Sequence, residues 1–412
     1  MKRHIVLLTL FITVSNLFLS KGNTIRFKQN ADGLSNSSVT YIFQDSKERM
    51  WFGTYDGLNM YNGQNFTIWR PIFNDSTSIS HHIIRNIAED RSGQIWISTD
   101  QGVNRLDVDK NEYKRFFQDS HKQTQYPFIA IDKDGRIFFS FFEGGLFYYD
   151  IQTKEFKPLI IPDVNTSYIH NLFADVYGNL WIHTSEGCLY RLKFSAEEET
   201  RYVPAEVVQV FNGIQPSTLF NQTFYYYKDN FIWYFDNTNS LIRYDIALNK
   251  SVSIYNINSL IKSHGNVSCM SVKDNKVDIA FSGSGILHLT LAVTNVVDSE
   301  WMFTEFLANY LFHGTQNIYW IGTDSSGLIM LYTQGHKFTN ILNSSIPHFT
   351  NKAIRTICTD QNGNLLVGTK GDGLYVFRNF NKDKTPAYTS IEKIGAAQGF
   401  PETKIYSLFK HS

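Results

Sequence analysis

The chain has no excess of charge of either sign. Its 412 residues carry 38 Lys plus Arg against 38 Asp plus Glu, and no basic run follows the first few positions, so nothing is present to hold a polyanion and nucleic acid is not an expected partner. Charged residues are also few, at 18% where roughly 25% is usual. Only three cysteines occur, Cys188, Cys269 and Cys358. Odd in number and far apart, they exclude a disulfide framework, and with no Cys-x-x-Cys or Cys/His cluster they give no sign of a structural zinc site. No metal and no cofactor is expected, and the thiols read as buried singles. Beyond residue 19 there is no run of 18 consecutive apolar residues, so no later segment is a membrane-spanning helix. A phosphate-cradling loop is missing too, because Gly371-Asp372-Gly373 and Gly283-Ser284-Gly285 lie in inter-strand turns rather than between a strand and a helix.

What is abundant is aromatic. The chain has 23 Tyr and 33 Phe, residues that suit pleated, half-buried surfaces, so the expected class is all-β. The length exceeds the roughly 250–300 residues that one core supports, which favours a repeated architecture. Residues 1–22 have the layout of a secretory signal peptide: a basic start at Lys2 and Arg3, an apolar run from Ile5 to Leu19, and small residues near Gly22. The run is shorter than the ~20 residues a membrane anchor needs, so the expected location is the periplasm.

Internal repetition follows. Asp45, Trp51, Thr54 and Gly57 share their spacing with Asp90, Trp96, Thr99 and Gly102, and the template returns around Phe138, Trp181 and Leu366, with degenerate copies at Trp233, Ile279 and Trp320. The mean period is about 45 residues, the size of a four-stranded propeller blade. In each unit an apolar strand ends in Asp-x-x-Gly, whose carboxylate bonds the turn backbone while Gly takes a positive φ. A second strand carries the Trp position, a Gly turn leads to a third strand, and a weaker fourth completes the unit. The Trp is expected to pack between adjacent blades, since Phe138, Ile279 and Leu366 replace it. The step from Trp181 to Trp233, 52 residues, is the longest, and its extra length at 196–223 reads as a loop that is either functional or solvated surface.

The C-terminal stretch from Gly399 to Ser412 lies in register with Gly33 to Ser46, so a ninth unit begins and stops after its first strand. A ring does not close on an orphan strand. The expectation is therefore a seven-bladed β-propeller over 23–335 followed by an incomplete second β-propeller over 336–412.

The run from Asp90 to Leu106, with Gly33 to Val39 and Ile321 to Leu328, resembles the two-component regulator propeller repeat, and the resemblance covers about residues 24–412. That family builds the periplasmic sensor region of hybrid two-component proteins of Bacteroides-type bacteria. The resemblance implies two seven-bladed propellers, a small β-sandwich, a transmembrane helix and a histidine kinase, with an oligosaccharide as input and control of polysaccharide-utilisation genes as output. It also implies a homodimer for the full-length sensor. This chain matches only the input end, as a truncated product or a fragment, with no kinase of its own. Membrane attachment would then come only through an uncleaved leader or a part after residue 412.

In a propeller the loops between second and third strands, and those leading into the next blade, crowd onto one face, where small ligands bind in concave mouths. These loops carry Tyr55, Asp56, Asp100, Tyr126, Glu143 and Glu186, and the innermost strands begin near Arg85 and His170. Carboxylates, a guanidinium, an imidazole and aromatic rings on one rim suit sugar hydroxyls and a pyranose face, and these eight residues are the candidate ligand-binding set, with no catalytic residue among them. Two other readings stand beside this one: a secreted propeller scaffold for protein partners, and a propeller glycoside hydrolase or lyase. The turns are not the Asp box of sialidases, because Gly93, Gly135, Gly178 and Gly363 lie three residues after Asp rather than two. Glycoside hydrolysis also needs two carboxylates at a set separation, which the spacing does not fix.

Overall fold

The computed structural model describes residues 24–27, 32–117, 127–141, 144–195, 202–211, 224–227, 230–236, 238–283, 285–303, 305–332, 354–380, 388–399 and 404–408. Residues 1–22, expected to be a signal peptide, lie outside them. The chain divides into two compact units, Met1–Gly335 and His336–Ser412.

The fold is all-β, built among the described residues from eight four-stranded antiparallel sheets. The first sheet orders Val39–Gln44, Met50–Thr54, Gly57–Tyr61 and Phe66–Trp69 as successive neighbours, and the second does the same with Ile84–Glu89, Ile95–Thr99, Gly102–Asp107 and Glu112–Phe116. The meander follows from the sequence: apolar strands of five or six residues alternate with Asp/Gly turns too short for any other connection.

One residue type does two jobs in the turn. Asp45 Oδ1 accepts the backbone N–H groups of Lys47 and Arg49 at 3.0 and 2.8 Å, while Oδ2 accepts the Trp51 indole N–H at 2.8 Å. Asp90 repeats this with Ser92, Gln94 and Trp96, and Asp175 with Tyr177, Asn179 and Trp181. The residue four after the Asp also donates to Oδ2, as Arg49 and Asn179 do beside the indole, and where the indole is missing this donor remains: Arg136 Nε at Asp132 in the Phe138 unit, and Asn364 Nδ2 at Asp360 in the Leu366 unit. Where the Asp is missing, the buried indole N–H groups of Trp233 and Trp320 have no partner.

Each Trp packs between neighbouring sheets. Trp51 is fully buried among Ile84, Ile87, Ile95 and Ile97 of the second sheet, so its role as inter-sheet filler is realised, with the indole–carboxylate bond as an addition that the spacing alone left open. The inner strands of the first four sheets lie side by side in turn, as do those of the fifth, sixth and seventh, and Ala308–His313 of the seventh sheet lies against Val39–Gln44 of the first. Close approach here requires glycine. A Cβ on Gly53 would sit 2.8 Å from Ile84 Cγ2, and one on Gly322 would sit 2.8 Å from Val39 Cγ1.

Three features depart from the sequence reading. A strand at Thr24–Phe27, before the first repeat, pairs antiparallel with Leu328–Leu331 as the outer strand of the seventh sheet, and the Phe27 ring lies 5.2 Å from Tyr61 of the first sheet and 6.3 Å from Trp320 of the seventh. The stretch read as a loop at 196–223 contains the strand Pro204–Phe211, which is the outer strand of the fourth sheet; exposed edge strands lack the apolar alternation that would mark them. Cys188 and Cys269 are buried as expected, but Cys358 is only half-buried.

A buried charge joins the sixth and seventh sheets. Asp278, 1% exposed, accepts His288 Nδ1 through Oδ1 and His313 Nε2 through Oδ2, the latter at 3.0 Å. Burial pushes the Asp278 carboxyl up, but the two imidazole hydrogen bonds and charges outweigh it and hold the group below its ordinary value.

In the second unit, Ile354–Thr359, Leu365–Thr369, Leu374–Arg378 and Ser390–Ile394 form one sheet. Ile405 N–H donates to Thr369 O at 2.9 Å, and a Cβ on Gly368 would lie 2.6 Å from Ile405 Cγ2. Ile405 therefore rests on Gly368 as Ile84 rests on Gly53. None of the described helices is long and apolar enough to cross a membrane.

Candidate functional site at the loop mouth

The mouth is built by a polar frame that the repeat encodes. Ser35 Oγ meets Thr54 Oγ1 at 2.9 Å, Ser35 N–H donates to Asn59 Oδ1 at 2.9 Å, and Asn59 Nδ2 donates back to Ser35 Oγ at 2.7 Å. Ser80, Thr99 and Asn104 make the same three contacts in the second sheet. All six groups are buried or nearly so, so each bond also satisfies a polar atom that would otherwise be stranded. The frame ties the loop leading into each inner strand to the second and third strands. Gly57 and Gly102, at φ 108° and 93°, let the third strand begin against the fourth, where a Cβ would come within 2.4 and 2.3 Å of the Trp69 and Phe116 carbonyl oxygens.

On this frame the first two sheets bring four of the expected residues together. Arg85 donates in a fork to Asp100, Nε to Oδ1 at 2.7 Å and Nη2 to Oδ2 at 2.9 Å, and its guanidinium lies 6.0 Å from the centre of the Tyr55 ring. Burial works to lower the Arg85 pKa, but hydrogen bonding and charge from Asp100 raise it above the ordinary value, so the guanidinium stays charged. Asp56 accepts Arg70 Nε at 2.9 Å and lies 3.2 Å from His82 Nδ1. Tyr55 remains 43% exposed, leaving a ring face at the mouth. His81 is beside this group. Burial lowers its pKa, with the Asp100 charge opposing and His82 and Arg85 adding to the effect, which keeps a neutral imidazole there at physiological pH.

His170, in the strand Ile169–Ala174, and Glu186, in the turn after Leu180–Thr184, belong to the fourth sheet. His170 and His183 rings are 6.1 Å apart, and burial lowers the His170 pKa. Glu186 accepts Asn165 Nδ2 at 3.2 Å. Tyr126 and Glu143 lie outside the described residues. Sequence reasoning missed Arg70, His81 and His82. A signal existed, since Ser80-His81-His82 stands where the first repeat has Ser35-Asn36-Ser37: the framing Ser is kept and the residues beside it change to imidazoles. No group of three or more His, Cys, Asp or Glu among the described residues is placed to hold a metal ion.

Comparison with known proteins follows the same lines. The sequence profile of the family described as two component regulator propeller matches residues 33–56 and 78–101, segments that include Ser35 and Thr54, Ser80 and Thr99 of the frame, and Tyr55, Asp56, Arg85 and Asp100. Histidine kinase P4 of Formosa agariphila is 27% identical over 232 residues, which cover 52% of this chain and 17% of that protein. The extracellular domain of a hybrid two-component system from B. thetaiotaomicron superposes with a TM-score of 0.57 at 22% identity, covering 90% of this chain and 49% of that one. Virginiamycin B lyase from Staphylococcus aureus superposes with a TM-score of 0.55 at 13% identity, over 76% of this chain and 99% of the lyase. At these identities the two structural likenesses speak for the fold, a β-propeller. The chain thus spans less than half the length of the solved sensor domain and about a sixth of the kinase. Residues 33–56 and 78–101 are thus similar to two-component regulator propeller repeats.

Proposed function

We propose that this chain is the ligand-sensing input region of a hybrid two-component sensor and that its ligand is an oligosaccharide. The observation that carries the reading is the mouth between the first two sheets, where the Arg85–Asp100 fork, the exposed Tyr55 ring, Asp56 and two imidazoles converge on a rigid frame. Fixed hydrogen-bonding groups beside an aromatic face are what a sugar ring requires. His170 and Glu186, from the fourth sheet, are further candidates for the same ligand, and Tyr126 and Glu143 lie outside the described residues.

In this reading residues 1–22 direct export to the periplasm, residues 23–335 form a closed seven-bladed propeller, and 336–412 begin a second one. Two contacts support the arrangement: the Thr24–Phe27 strand on the seventh sheet, and Ile405 on Gly368 in the place where a next blade's inner strand would lie. The chain itself is not catalytic. Phosphotransfer, and through it control of polysaccharide-utilisation genes, belongs to a kinase region of a longer protein, as the 17% share of the kinase relative suggests.

The test is calorimetric titration with a panel of glycan fragments, together with an assay for product release. Saturable binding without turnover is expected. The double variant Arg85→Ala/Asp100→Ala removes the fork without leaving either charge unpaired, and it should weaken binding at least tenfold. Unchanged affinity in that variant refutes the site, and turnover refutes the non-catalytic reading in favour of a propeller enzyme.

A further inference from the structure

On the Asp-x-x-Gly side of the first unit, a cavity of about 560 Å³ that shares no lining residue with the candidate set at the mouth opens beside the third and fourth sheets. Its size is within the ~300–1,000 Å³ of small-molecule sites. Its floor is a fixed platform. Arg136, 3% exposed at the side chain, donates to Asp132, to Asp134 Oδ2 at 3.0 Å and to the Gly178 and Ser195 carbonyls, and its guanidinium lies 4.8 Å from the centre of the Phe194 ring. Those two carboxylates offset its charge.

The walls are different. Lys133, Arg191 and Lys193 also line the cavity. Among the described residues the two ammonium groups make no ion pair, and the Arg191 guanidinium makes no hydrogen bond. Glu206, the cross-strand neighbour of Lys193, approaches Arg191 Nη2 only to 3.9 Å, beyond hydrogen-bond reach. Asp175 lies behind the wall with its oxygens taken by Trp181, Asn179 and the turn backbone. Three cations thus face one cavity whose two carboxylates are Asp134, engaged by Arg136, and the loosely held Glu206, and the planar N–H fork of Arg191 makes no hydrogen bond. Tyr177, 45% exposed, adds an aromatic edge.

A guanidinium whose N–H groups make no hydrogen bond, lining one cavity with two ammonium groups, matches the oxygens of a tetrahedral or planar oxyanion. We propose that this cavity binds a small molecule through an oxyanion group, whether sulfate, phosphate or carboxylate, with Arg191 as the forked donor and Lys133 and Lys193 as flanking charges.

The experiment titrates the full chain at constant ionic strength with inorganic sulfate, inorganic phosphate and glucuronate, with glucose as the uncharged control. Saturable heat and a raised Tm are expected with at least one anion and not with glucose, and which anion succeeds separates inorganic from organic carboxylate sources. The variant Arg191→Gln/Lys193→Gln should weaken that binding at least tenfold. Lys133→Gln, on an exposed turn, should weaken it as well and serves if the double variant does not fold. No saturable binding of any of the three anions, or equal binding by the folded variants, overturns the proposal. Anion binding should survive Arg85→Ala/Asp100→Ala, so failure here is separable from failure of the oligosaccharide site.

Discussion

Gly322→Ala tests whether sheet-to-sheet contact at glycine holds the first unit together. Gly322 is not among the glycines with positive φ, so alanine can adopt its backbone, and the loss of unfolded-state freedom should by itself stabilise by about 0.4–1 kcal/mol. Opposing this, the new Cβ would lie 2.8 Å from Val39 Cγ1, 3.0 Å from Val39 Cβ and 3.5 Å from Ile42 Cδ1, where carbon atoms prefer about 3.5–4.0 Å. Both Val39 and Ile42 are essentially inaccessible to solvent, so neither side chain can swing away, and overpacking of this kind costs about 1–3 kcal/mol. The net expectation is a loss of about 1–2 kcal/mol and a fall in Tm of roughly 2–3 °C. Gly53→Ala, facing Ile84 at the same 2.8 Å, should behave alike. Gly395 has nothing within 4 Å of its ideal Cβ and no positive φ, so Gly395→Ala reports the entropy contribution alone and should leave stability unchanged or raise it. Scanning calorimetry of the three variants decides the matter by sign. Equal or greater stability in Gly322→Ala and Gly53→Ala would refute the inter-sheet packing.

Three further outcomes are expected. Asp90→Ala removes the acceptor for two turn N–H groups and strands the buried Trp96 indole N–H, so a loss of about 3 kcal/mol should appear in urea unfolding; the Asp-less environments of Trp233 and Trp320 suggest that the fold itself survives. Asp278 gives a pH signature. Its folded-state pKa is depressed, so its contribution to stability is full above the unfolded value of about 3.9 and is lost as pH falls through the lower folded value. Asp278→Asn should lose stability at neutral pH and show a flatter decline below about pH 4, and parallel acid-unfolding curves for the two proteins would contradict this. Gly368→Ala should displace Ile405, read as faster exchange of the Ile405 amide hydrogen while the first unit keeps its melting behaviour.

Much of the fold was legible because its hydrogen bonds are local. Val39–Gln44 pairs with Met50–Thr54 across one short turn, and a turn that recurs with Asp and Gly at fixed offsets announces itself. The frame of Ser, Thr and Asn was visible as spacing but not as chemistry, since nothing in a sequence says that Ser35 and Asn59 exchange two hydrogen bonds. At the mouth, Arg85 and Asp100 were both named as candidates, yet their fork was not. Fifteen positions separate them, and only the hairpin between places one above the other. His81 and His82 were passed over because the repeat masks what departs from it.

The sequence by itself determined that the chain is all-β, that its unit is a four-stranded sheet of about 45 residues, and which residue caps each turn. These depend on strand propensity, turn stereochemistry and side-chain alternation, all of which act over a few residues. The tertiary structure alone decided who meets whom across the sheets. It placed Thr24–Phe27 against Leu328–Leu331, set Asp278 between two histidines of different sheets, and gathered Lys133, Arg191 and Lys193 around one cavity. Those contacts join positions tens to hundreds of residues apart, and they exist only because sheets stacked side by side carry distant segments into reach of one another.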